Sequence, residues 1–110
     1  MKYLIIEDCF SDVALLRVRI KRLGYEVTVA DPNDSMTFAR SNHPEVIQLD
    51  GLCGKCFELI DALKEDCPDS SYIIFSADDI ILDNGRRRGL ITFDKSGGGV
   101  DLLEYLQSLK

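Results

Sequence analysis

The sequence predicts an α/β fold built on a parallel sheet wound on both faces, and three observations carry that prediction. Short apolar runs alternate with amphipathic stretches along the whole chain. The runs are mostly too short and too continuously apolar to have one wet face, so they read as strands covered on both sides. No linker, repeat or low-complexity segment interrupts the alternation, and 110 residues of which 45% are hydrophobic suffice for one layered core, a single domain spanning residues 1–110.

The first predicted strand, Tyr3 to Ile6, runs into Glu7-Asp8. From Asp12 to Leu23, Val13, Leu16, Ile20 and Leu23 recur at helical spacing. Arg17, Arg19, Lys21 and Arg22 stand mostly on the wetter side, and Gly24 supplies the stop. The second strand, Tyr25 to Ala30, leads to a shorter helix over Asp34 to Ser41. The third, Glu45 to Leu49, ends on Asp50 and is followed by a helix over Phe57 to Glu65. The fourth, Tyr72 to Phe75, ends on Ser76-Ala77. The stretch from Asp78 to Arg88 carries the weakest helical pattern, broken by Asn84-Gly85, and predicts a fourth helix that is short or absent. The fifth strand, Leu90 to Phe93, ends on Asp94-Lys95-Ser96. The last helix, Val100 to Leu109, buries Leu102, Leu103, Leu106 and Leu109. Parallel neighbours need right-handed crossovers, so five strands and about five helices give a doubly wound, flavodoxin-like sheet with helices on both faces. Chemistry in such sheets sits outside the carboxyl ends of the strands, near the point where the strand order reverses.

Composition narrows the function. Thirteen basic against 19 acidic residues leave a formal charge of −6, which disfavours direct nucleic-acid binding. The apolar N-terminal run is interrupted by Glu7 and Asp8 after a few residues, so neither a signal peptide nor a membrane span fits it; a cytoplasmic location and no membrane contact are expected.

The strand ends hold the candidate chemistry. Taken singly each has a plain structural use, Asp8 or Asp12 and Asp50 as helix caps and Lys95 as a solvated charge. Taken together, Glu7, Asp8 and Asp50 place three carboxylates at one sheet edge. They repel one another unless a hard divalent cation such as Mg²⁺ sits among them. With the cation present, Asp50 stays ionised and can attack a phosphorus centre. Lys95 then neutralises the transferring oxygens, and Ser76 hydrogen-bonds one of them.

On these residues the sequence resembles the receiver domain of two-component response regulators, the CheY-like superfamily, from Tyr3 to about Leu109. The matching pieces are LIIED (Leu4 to Asp8), VIQLD (Val46 to Asp50), IIFSA (Ile73 to Ala77) and FDKS (Phe93 to Ser96), in order and at strand ends. The resemblance implies a strand order of 2-1-3-4-5 and a phosphorelay protein. Asp50 would accept a phosphoryl group from a histidine kinase or phosphotransfer protein. Mg²⁺ would be held by Glu7, Asp8, Asp50 and the backbone carbonyl of Leu52. Ser76 would be the switch hydroxyl and Lys95 the phosphoryl contact. Such a phosphoprotein signals by altered protein–protein binding and is no enzyme beyond assisting its own phosphorylation and dephosphorylation.

The sequence departs from that family on the output side. The segment between Asp50 and Phe57-Glu58-Leu59-Ile60 is shorter than usual and lacks the customary proline and acidic-glycine pair. Thr92 stands where receivers carry an aromatic switch residue, with Phe93 one place later. Ser96 replaces the proline that commonly follows the lysine in a cis peptide. A receiver-like interaction module that is never phosphorylated, or a receiver segment of a larger hybrid protein, shares these features.

The cysteines support a rival. Cys53-Gly54-Lys55-Cys56 is a C-x-x-C that follows a strand and opens a helix, the setting in which a helix N-terminus lowers a thiol pKa and a thiol–disulfide oxidoreductase works. No Trp precedes Cys53, no proline stands near Ser76, and Glu7, Asp8 and Lys95 are left without a role. A zinc site from Cys9, Cys53 and Cys56 lacks a fourth ligand, since His43 lies at the far end of the third strand. The plain reading makes Cys9 and Cys67 small, partly buried residues and puts Cys53 and Cys56 along a loop. Arg86-Arg87-Arg88 reads as a solvated turn or part of a docking face, and Gly97-Gly98-Gly99 as a flexible connection.

Overall fold

The computed structural model describes residues 1–109. Five strands, β1 (Lys2–Ile6), β2 (Glu26–Ala30), β3 (Val46–Leu49), β4 (Ser71–Ser76) and β5 (Ile91–Asp94), form one parallel sheet in the order β2-β1-β3-β4-β5. The helices between and after them are α1 (Ala14–Arg22), α2 (Ser35–Asn42), α3 (Cys56–Asp66), α4 (Asp79–Arg87) and α5 (Val100–Ser108). This is the flavodoxin-like arrangement, and its strand order reverses between β1 and β3.

Alternation along each strand sends side chains to two separate cores. On one face Leu4, Ile6, Ile47, Leu49 and Ile74 meet Ile60 and Leu63 of α3 and Leu82 of α4. On the other, Tyr3, Ile5, Ile73 and Phe75 meet Leu16 and Ile20 of α1 and Leu102 and Leu106 of α5. Each fully buried Ile or Leu stabilises the fold by about 1.5–3 kcal/mol. The buried amide of Gln48 lies on the second face, where Tyr3 Oη donates to its Oε1 at 2.6 Å, and Tyr25 Oη donates to the Leu106 carbonyl at 2.9 Å. Among the described residues no buried side-chain nitrogen or oxygen lacks a partner.

Four expectations need adjustment, the first being Leu109, expected in the buried stripe of the last helix but 42% exposed. Coverage on both faces holds for β1, β3 and β4, whereas β5 is half-exposed along its length and β2 partly so. These are the sheet's edges, with a neighbouring strand on one side only. The first helix opens with a 3₁₀ turn over Phe10–Val13 before α1 proper begins at Ala14. The stretch over 78–88, short or absent by its pattern, forms a helix as long as α1. Asp78 caps it, its carboxylate accepting from the amides of Ile80 at 2.9 Å and Ile81 at 3.4 Å. Gly85 does not break α4, because it is where the helix touches the sheet: a Cβ there would stand 2.7 Å from Thr92 Cγ2 and 3.3 Å from Ile74 Cδ1.

Candidate functional site

The β1 and β3 ladder sets the site. Asp50 N donates to the Ile6 carbonyl at 3.1 Å, which carries the pairing one step past β3 and brings Asp50 beside Glu7. Glu7, Asp8 and Asp50 each offer a carboxylate oxygen within 4.8 Å of the others. Lys95, which follows β5, reaches across the sheet edge to both Asp50 Oδ1 at 2.9 Å and Glu7 Oε2 at 3.2 Å. The remaining oxygens are held by the backbone: Cys9 N donates to Glu7 Oε1 at 3.1 Å and Leu52 N to Asp50 Oδ2 at 3.3 Å. Glu7 is only 2% exposed, Asp50 half-buried and Asp8 in solvent.

Burial pushes the Glu7 carboxyl up from its ordinary range, and the neighbouring Asp8 and Asp50 carboxyls add to the shift against the pull of Cys9 N–H and Lys95. Burial works against the Lys95 ammonium, but the Asp50 and Glu7 carboxylates outweigh it and hold its pKa above the usual value. Three hard oxygen donors of this kind suit Mg²⁺ or Ca²⁺ rather than a thiolate-seeking metal. Among the described residues they are the one cluster of metal-ligating side chains. The residues present therefore fit a divalent cation. The Leu52 carbonyl accepts from Lys55 N at 3.1 Å and keeps a second lone pair for a metal.

Ser76, buried at the end of β4, accepts through its Oγ from Asp78 N at 3.1 Å. It lies beside Gly51, where a Cβ would come within 3.0 Å of Ser76 Oγ and 2.7 Å of Ile81 Cδ1. All five candidate side chains thus gather at the carboxyl edge of the sheet. A groove of about 670 Å³ opens onto Asp8 and Asp50, and Asp31, Asn33, Lys55 and Glu58 also line it. Sequence reasoning passed over Asp31, although it directly follows β2 and the strand-end rule that selects Asp50 selects it too.

The shortened loop after Asp50 closes by turning left-handed: Leu52, Cys53 and Gly54 have φ of 51°, 55° and 88°. Two of these are not glycine, and each such residue costs about 1–2 kcal/mol. No spacing pattern in the sequence announces that turn. At Thr92 the methyl faces α4 through Gly85, while Phe93 packs against Tyr105 of α5 at 5.6 Å between ring centres. Among the described residues no peptide is cis, so Ser96 follows Lys95 in the trans form.

Cys9 and Cys53 are exposed, Cys56 and Cys67 buried, and none is bonded to another. Burial pushes the Cys56 thiol up to about 11, which works against a redox pair, and Cys9, Cys53 and Cys56 form no close ligand group. Arg86-Arg87-Arg88 is less a turn than the end of α4. Arg87 pairs with Asp83 at 3.0 Å, and the Arg88 guanidinium lies 4.5 Å from the Phe57 ring centre. Gly97 ends a 3₁₀ turn begun by Lys95, and Gly99 leads into α5. No helix of the described chain is long and apolar enough to cross a membrane.

No protein-family model and no curated protein matches the chain. Solved structures do match, several response regulators among them. The chemotaxis protein CheY4 of Vibrio cholerae superposes with a TM-score of 0.81 at 20% identity, covering 99% of this chain and 98% of that one. A response regulator from Thermotoga maritima gives 0.78 at 16% identity, covering 97% of each chain. One from Burkholderia pseudomallei, solved with a phosphorylated aspartic acid, calcium ion and citrate, gives 0.70 at 22% identity over 83% of this chain and 56% of that one. At these identities the likeness establishes the receiver fold.

Proposed function

We propose, with the receiver fold shared with solved response regulators as premise, that this chain is a phosphoacceptor of a two-component phosphorelay, with Asp50 taking the phosphoryl group. The observation that carries this reading is Lys95, whose one ammonium joins Asp50 and Glu7 while Asp8 completes the acidic edge. An Asp50 carboxylate oxygen forms a bond to phosphorus as the bond from phosphorus to the donor's histidine nitrogen breaks. The released imidazole takes a proton from solvent, and Asp50 is left as an acyl phosphate. Mg²⁺ held by Glu7, Asp8, Asp50 and the Leu52 carbonyl would supply charge neutralisation for the crowded oxygens.

Lys95 is already in place to follow the charge as it passes from the Asp50 carboxylate to the phosphoryl oxygens, so little reorganisation is needed. Ser76 has a hydroxyl proton to offer one of those oxygens. Asp50 opens onto the groove, which leaves its carboxylate accessible to the phosphohistidine of the donor, a histidine kinase or phosphotransfer protein. The chain then acts as a cytoplasmic signalling module that assists its own phosphorylation and dephosphorylation and alters its binding to a downstream protein. Incubation with acetyl phosphate and Mg²⁺ followed by intact-mass measurement should give a phosphoryl adduct in the native chain and none in Asp50→Asn. Absence of an adduct in the native chain under every condition tried sinks the proposal.

A further inference from the structure

We infer that the open edge of β2 and the basic helix α1 together form a docking site for an acidic, extended segment of a partner protein, which adds to the sheet as a sixth strand. β2 pairs only with β1, and the register from Lys2 opposite Glu26 to Ile6 opposite Ala30 runs without a bulge. Among the described residues the other backbone bonds of this strand go to Met1 and Glu7, which flank β1, so no loop bonds to its outer side. Edge strands are usually guarded by lysine, proline or a bulge. Glu26-Val27-Thr28-Val29-Ala30 carries one charge, at its first position, and three consecutive β-branched residues after it. Such an edge is suited to pairing with another strand.

A groove of about 710 Å³ lies along this edge, lined by Thr28 and Val29 from the strand and by Phe10, Ala14 and Val18 from the helix side. Phe10 is 53% and Val18 44% exposed, an apolar surface that one face of an added strand would cover. Arg17 and Lys21 line the same groove. With Arg19 and Arg22 they give α1 four cations and no acid, and none of the four forms an ion pair among the described residues. In a chain of net charge −6 this helix is a local field of the opposite sign.

The occupant follows from that charge. An acidic segment is steered toward α1, and its carboxylates can pair with Arg17 and Lys21 while its backbone extends the ladder at β2. A second copy of this chain does not meet the condition. Two β2 edges pairing antiparallel about a two-fold axis would set α1 beside α1, four cations against four. No residue lining this groove belongs to the acidic edge at Asp50, so the site stands whether or not Asp50 takes a phosphoryl group.

The probe is a short, end-capped peptide of alternating valine and glutamate, titrated into the full chain and followed by amide hydrogen exchange read by NMR. At saturation it should slow exchange at alternate amides of residues 26–30, those facing away from β1, by about tenfold or more. A valine–lysine analogue should bind about tenfold more weakly or worse, and salt near ~1 M, where the screening length is about 3 Å, should weaken the acidic peptide to a similar degree. The acidic peptide N-methylated at every amide keeps its charge, loses its donors and should not bind. Arg17→Glu combined with Lys21→Glu should reverse the preference between the two charged peptides. Both side chains are exposed, so the double variant should fold. No binding of the acidic peptide at about 1 mM overturns the inference. So does equal binding of the two charged peptides, binding that leaves residues 26–30 unprotected, as an acidic helix lying on α1 would, or self-association of the native chain through residues 26–30.

Discussion

Lys95 shares one ammonium between two carboxylates, and the consequence falls on Glu7 as much as on Asp50. Glu7 is the more deeply buried of the two, so removing Lys95 leaves a crowded, desolvated carboxylate with only the Cys9 amide to hold it. Lys95→Met should therefore slow phosphoryl uptake by about 10²–10³-fold, the scale of losing one charge-stabilising group at a reacting centre. Initial rates of adduct formation read by mass would show it, and a rate within a few-fold of the native one would speak against the role. At pH 7.5 a small alkylating reagent should modify Cys9 and Cys53 at once and Cys56 and Cys67 only after denaturation, as peptide mapping would reveal. Rapid modification of Cys56 in the folded chain would reopen the redox reading. Glu7, Asp8, Asp50, Ser76 and Lys95 were legible because apolar runs mark where strands end. Gly51 and Ile81 were not, since their contact joins distant parts of the chain and neither residue type advertises chemistry.

Among the elements, α4 is where local sequence and tertiary structure disagree. Asn84-Gly85 looks like a stop, yet glycine within a helix costs only about 1 kcal/mol against alanine, and the Asp78 cap together with buried Ile81 and Leu82 more than offsets it. The glycine is there for the approach to Thr92. Gly85→Ala should accordingly destabilise the chain by about 1–3 kcal/mol despite the better helix propensity. In a Thr92→Ser background, which lacks the obstructing methyl, the same change should be neutral or stabilising by up to about 1 kcal/mol. Urea midpoints of the four proteins check this, and additive effects would exclude the contact as the reason for the glycine. The strands and the other helices were readable to within a residue or two because their apolar spacing is regular. The left-handed turn at Leu52 and Cys53 was not, because its conformation is imposed by closing a short loop between two fixed elements.

At the scale of the whole molecule, the two cores differ in what they contain. The core under α3 includes Cys56 and Tyr72, whose acidic groups burial pushes up to about 11 and about 12. Both are neutral when protonated and titrate near 8.5 and 10 once unfolded, so the unfolded chain loses these protons first as pH rises. Stability from this pair is complete below about pH 8.5 and declines as pH climbs toward 11 and 12. Denaturation midpoints from pH 7 to 11 should fall accordingly, and Cys56→Ala should flatten the earlier part of that fall. A midpoint constant across this range would contradict the burial of both groups. The central claim concerns Asp50 at the carboxyl edge of the sheet and is tested most directly by locating the phosphoryl group. After incubation with acetyl phosphate and Mg²⁺, borohydride reduces an aspartyl phosphate to homoserine, which peptide mapping assigns to a single position. Homoserine at position 50 alone is the predicted result; conversion at Glu7 or Asp8, or no conversion in a chain that carries the added mass, would contradict it.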